Sequence, residues 1–129
     1  MKLMNNTRAP CVDKIQADTQ LILFLVGPHW IKLPPLSLAS LATYLNANGI
    51  KTKTIDLNII LFHMLNLPRK QWLMHNAEFE NNIFQQLKHQ FPRFINNLIN
   101  NIAHSQAKVL GFSLFSRNRR ATFDLANEI

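Results

Sequence analysis

The chain has 129 residues, 47% of them hydrophobic and 16% charged, long enough for one buried core and too apolar for a disordered polymer. Fourteen Lys and Arg against seven Asp and Glu leave +7 at neutral pH. Apart from Arg117, Arg119 and Arg120 the cations are scattered and carry no interleaved aromatics, so a nucleic-acid partner is not expected.

The single cysteine, Cys11, excludes an internal disulfide and an all-cysteine metal cluster, and it fits a reducing, cytoplasmic setting. The opening "MKLMNNTRAP" lacks the apolar core of a signal peptide, and "IDLNIILFHMLNL" is too short and interrupted to span a bilayer. The expectation is a soluble protein with no membrane partner.

Residues 1–20 are polar and aperiodic and read as a flexible extension. "LILFLVG", Leu21 to Gly27, is a continuous apolar run of the kind found in a strand covered on both faces. The loop "PHWIKLPP" follows, and its prolines forbid both helix interior and ladder pairing. Next, Leu38, Leu41, Ala42 and Leu45 recur at helical spacing. Pro35 suits a first helical position, and Asn48-Gly49 supplies a left-handed stop. Ala39, Ser40 and Ala47 are small enough to let that helix lie close to its neighbours. "IKTKTIDL", Ile50 to Leu57, alternates polar residues as a wetter edge strand does. Strand, helix and strand with short connections make a parallel crossover unit.

From Asn58 to Gln106 the pattern is helical and longer than one crossover needs. A first helix is stopped by Pro68. A second carries Phe79, Ile83, Phe84 and Leu87 on one face. A third, opened by Pro92, carries Phe94, Ile95, Leu98, Ile99 and Ile102. "KVLGFSLF", Lys108 to Phe115, is a third strand, and a last helix begins near Arg119 or Arg120 with Ala121, Phe123, Leu125, Ala126 and Ile129. Three strands leave an apolar sheet edge, so these residues are expected to be the first part of a larger α/β domain.

In open parallel sheets ligands bind beyond the carboxyl ends of the strands, at the point where strand order reverses. A 2-1-3 order would bring His29, Trp30, Ser113, Ser116, Arg117 and Asn118 to one crevice. His29 could serve as an axial metal ligand or a general acid, or simply pack in its loop. Ser113 and Ser116 could donate to a ligand or cap the following helix. Arg117, Arg119 and Arg120 could bind an anion or form a solvated helix start. Asp56 ends a strand where dinucleotide folds place a ribose-binding carboxylate, but "GPHWIKLPP" is neither G-x-G-x-x-G nor a P-loop. The other histidines, His63, His75, His89 and His104, share no ligand spacing.

Two blocks, "PPLSLASLATYLNANGIKTKTIDLN" after an apolar strand and "KVLGFSLFSRNRRATFDLANEI" later, resemble the N-terminal cobalamin-binding domain of cobalamin-dependent radical SAM proteins. That family has a Pro-Pro-Leu-Gly-Leu-like start, a small-residue helix, a glycine and a strand ending in Asp. A third strand with a Gly-hydrophobic-Ser turn comes later. The resemblance implies a flavodoxin-like (Rossmann-like) parallel sheet, here incomplete, with about three strands and a helical insertion over 58–106. It implies a corrinoid at the carboxyl edge, touching Pro34, Pro35 and Leu36 in the first loop and Ser113 and Ser116 in the third. Arg117 and Asn118 join this candidate set from the crevice, with His29 as candidate axial ligand.

The family's downstream barrel would cleave S-adenosylmethionine at an iron–sulfur cluster, for methyl transfer or radical rearrangement. Neither Asp-x-His-x-x-Gly nor Cys-x-x-x-Cys-x-x-Cys occurs in this chain. The expectation is therefore a corrinoid-binding module or truncated fragment, without an iron–sulfur cluster and not catalytic alone. The alternative is a non-catalytic α/β interaction domain that pairs its open sheet edge with another chain or a second copy of itself.

Overall fold

A computed structural model describes residues 12–129; Cys11 and the first half of the expected extension lie outside them. Three parallel strands, β1 (Leu21–Leu25), β2 (Thr52–Asp56) and β3 (Val109–Phe112), pair in the order β2-β1-β3. The register aligns Leu21 with Thr52 on one side and with Val109 on the other. Among the described residues this is an incomplete flavodoxin-like α/β sheet, with three parallel strands in the 2-1-3 order. The central position of β1 explains why its residues read as one apolar run. Both neighbours and both faces are occupied, so only its first residue escapes full burial.

The two faces are covered unequally. Even-numbered residues of β1, Ile22 and Phe24, join Val26, Ile55 and Leu57 in the larger core. Against them pack α2 (Leu57–Leu65), α3 (Arg69–Leu73), α4 (Ala77–Gln90), α5 (Pro92–His104) and α6 (Arg119–Glu128). Among the described residues the other face has only α1 (Leu36–Ala47), through Leu38, Ala42 and Leu45 onto Leu21, Leu23 and Leu25. Of the four apolar residues at helical spacing on α1, Leu41 is 44% exposed. Ala39, Ser40 and Ala47 face solvent rather than a close neighbour. Gly111 keeps that face tight at β3, because a Cβ there would stand 2.7 Å from a Leu23 methyl.

Local signals place the helix ends. Pro35 occupies the N-cap position one residue before α1, and the helix closes through Gly49, whose φ of +82° is left-handed. The Ile50 amide then donates back to the Leu45 carbonyl. Asp56 caps α2 by accepting from the Ile59 amide, and Asn76 caps α4 by accepting from the Phe79 amide. Pro92 opens α5, whose Ile95, Leu98 and Ile102 are buried. On α4, Ile83, Phe84 and Leu87 are buried and so is Glu80, which shares their face at the i, i+3, i+4, i+7 spacing.

Residues 12–20 form neither helix nor strand. Ile15 is nevertheless buried in the larger core, and the Gln20 amide donates to the Lys51 carbonyl. Among the described residues no helix is long and apolar enough to cross a membrane.

Candidate functional site

β1 runs into Val26-Gly27-Pro28 and then into the exposed loop that carries Trp30 and the two prolines. Gly27 is required for packing: a Cβ there would come within 2.5 Å of the Trp72 ring and 2.8 Å of Asn58 Oδ1. Asn58, buried at the start of α2, fixes the loop from below. Its Oδ1 accepts from the His29 amide (2.7 Å) and from Trp72 Nε1 (3.1 Å), and its Nδ2 donates to the Trp30 carbonyl. Trp72 Nε1 also reaches the His29 carbonyl. The sequence marks Trp72 only as a lone aromatic after Pro68. Burial of Trp72 in α3 and the bridging role of Asn58 come from tertiary contact.

The turn after β3 is fixed by Asn118, which has no solvent exposure. Its Nδ2 donates to the carbonyls of Val26 (2.8 Å) and Ser113 (2.9 Å), while its Oδ1 accepts from the Phe115 amide (2.7 Å). One side chain thereby ties the end of β1 to the end of β3. Arg117 points away, toward the helical layer. Its Nε donates to Glu80 (2.7 Å), and its two terminal nitrogens donate to the carbonyls of Trp72, Leu73 and Met74 at the end of α3. Burial works against the Glu80 carboxylate, yet hydrogen bonds from Arg117, His75 and the Asn76 amide hold its pKa below the ordinary value.

Between these two supports lies a cavity of about 510 Å³, a typical size for a small-molecule pocket. His29, Trp30, Pro34, Pro35, Leu36 and Ser113 line it, together with Leu25, Leu33, Ser37 and Phe115. It lies beyond the carboxyl ends of β1 and β3, where the strand order reverses. Trp30 (64% exposed), Leu33 (73%) and Leu36 (69%) form an apolar rim. Ser116 is exposed outside the lining, and Arg117 and Asn118 do not contribute to it, because their polar groups are engaged in the contacts above.

The His29 ring packs edge-on against Phe115, with centroids 4.2 Å apart, and its Nδ1 accepts the Trp30 amide hydrogen at 2.6 Å. Desolvation, followed by the Arg117 cation, lowers the pKa of His29, and the Asp56 carboxylate opposes them. The ring is therefore neutral near pH 7. Burial raises the pKa of Asp56, against hydrogen bonds from the Ile59 and Asn58 amides. Asp56 caps α2 and is absent from the cavity wall. Among the described residues no three His, Cys, Asp or Glu side chains converge as a metal site.

Comparison with protein-family models, curated proteins and solved structures gives no match.

Proposed function

We propose that this chain is a corrinoid-binding module with no chemistry of its own. The observation that carries the reading is the apolar cavity at the carboxyl edge of the sheet, walled by the Pro34-Pro35-Leu36 lip and the Ser113–Phe115 turn. Apolar walls fit the face of a flat ring, where desolvation of both surfaces supplies the binding energy. A corrinoid is larger than the cavity, so the exposed rim of Trp30, Leu33 and Leu36 would carry part of it. The fit does not extend to cobalt ligation by His29. With Nδ1 accepting from the Trp30 amide, the neutral ring has its proton on Nε2 and offers no lone pair there. When bound, a corrinoid supplies methyl-transfer or radical chemistry through its metal. The residues of this chain hold the ring and exclude water from one side.

The test is reconstitution with hydroxocobalamin at tens of micromolar, followed by desalting and an absorption spectrum. The expected result is corrinoid bands that co-elute with the protein and are lost in Leu36→Glu. A colourless protein after wild-type reconstitution would refute the reading.

A second reading has its own observation. The outer edge of β3 has no strand partner among the described residues, and Val109 on it is 53% exposed. Such an edge is a template for pairing with another chain. In this reading the module joins a second copy of itself through β3.

A further inference from the structure

We infer that His29 is the specificity-determining donor of the cavity and selects an uncharged ligand presenting a carbonyl or amide oxygen. This inference rests on the cavity being a ligand site, but not on the ligand being a corrinoid.

The polar side chains of the cavity wall are His29, Ser37, Ser113 and the indole N–H of Trp30 on the exposed rim, and no charged side chain lines it. His29 is held on three sides. Its amide is bound by Asn58 Oδ1, its Nδ1 by the Trp30 amide, and its ring by a T-shaped contact with Phe115. Because Nδ1 is an acceptor, the ring proton belongs to Nε2. Among the described residues Nε2 has no protein hydrogen-bond partner. The nearby cation, Arg117, spends its guanidinium on Glu80 and the α3 carbonyls. A carboxylate, phosphate or sulfonate entering the cavity would therefore lose its hydration with no cation in the wall to replace it, the exposed Lys32 of the same loop lying outside the lining. A carbonyl oxygen, by contrast, meets an oriented N–H. A site that presents a fixed donor discriminates strongly against ligands that leave it unpaired.

The test compares two aromatic dyes at physiological salt: Nile red, which is neutral with a ring carbonyl, and anilinonaphthalene sulfonate, which is anionic. Wild type, His29→Phe and His29→Gln are titrated by fluorescence, with circular dichroism to establish that each is folded. Phenylalanine keeps the aromatic contact and removes the donor; glutamine restores an N–H. Loss of one hydrogen bond predicts about tenfold weaker Nile red binding in His29→Phe and a return to within about threefold of wild type in His29→Gln. Sulfonate binding should be weaker throughout and indifferent to either change. The inference is overturned if wild type fails to bind Nile red, if His29→Phe binds it as tightly as wild type, or if the sulfonate binds equally well. A protein that shows the expected dye pattern but retains no corrinoid overturns the corrinoid reading alone.

Discussion

Asn118→Ala tests whether one buried amide holds the two walls of the cavity together. The substitution removes three hydrogen bonds, to the Val26 carbonyl, the Ser113 carbonyl and the Phe115 amide. It strands backbone groups in a position with no solvent exposure. At about 1 kcal/mol net for each bond the loss is about 3 kcal/mol. That is a large share of the roughly 5–15 kcal/mol by which a domain is stable. With a urea slope of about 1.5 kcal/mol per molar, the unfolding midpoint should fall by about 2 M. The assay is urea unfolding followed by circular dichroism and by tryptophan fluorescence, with Asn96→Ala as control. Asn96 is exposed on α5, so its replacement should move stability by no more than about 0.5 kcal/mol. If Asn118→Ala shifts the midpoint no further than the control, the proposed clamp between β1 and β3 is refuted.

Stability should fall in two stages as pH drops. The native pKa of His29 lies below its ordinary 6.5, so the unfolded chain binds the proton first, and this contribution is present above pH 6.5 and lost as pH falls. The pKa of Glu80 lies below its ordinary 4.5, and its contribution is present above 4.5 and lost as pH falls further. Asp56 has the opposite sign, because its native pKa is raised from 3.8 and folding gains as it protonates. Denaturation curves from pH 8 to pH 3 should show both losses in wild type, and Glu80→Gln should lack the second; an unchanged acid limb in that variant would contradict the Arg117–Glu80 assignment. For the β3 edge, light scattering over a range of concentrations should show a reversible dimer that Val109→Lys abolishes. A wild-type monomer at every concentration would remove that reading.

The tertiary fold was legible wherever burial follows chain periodicity. The uninterrupted Leu21–Leu25 run announced a central strand, because in a parallel sheet helices on both faces leave no polar side to alternate with. The stripes on α4 and α5 announced their buried faces, since a 3.6-residue repeat maps directly onto one side of a helix. Periodicity misled at α1, where Leu38 alone is fully buried. Among the described residues a single helix covers that face and leaves Leu41 at its exposed side, a matter of layer count that local spacing does not encode.

Part of the candidate site was legible for a similar reason. Chain order alone places the loops after β1 and β3 on the same edge of a 2-1-3 sheet, so His29, Trp30 and Ser113 could be gathered before any contact was known, whereas Pro34, Pro35 and Leu36 entered through the family resemblance. What each side chain does there depended on partners far away in the chain. Arg117 is committed to Glu80, 37 positions earlier, and Asn118 reaches Val26, 92 positions earlier. An isolated sequence shows that such residues are polar, not whether their hydrogen-bonding capacity is already used. The sequence alone determined the order of the strands and of every helix but α3, the parallel sheet, and the edge on which the cavity opens. The tertiary structure decided which polar groups remain free at that edge, because satisfying a buried donor or acceptor is a property of packed neighbours.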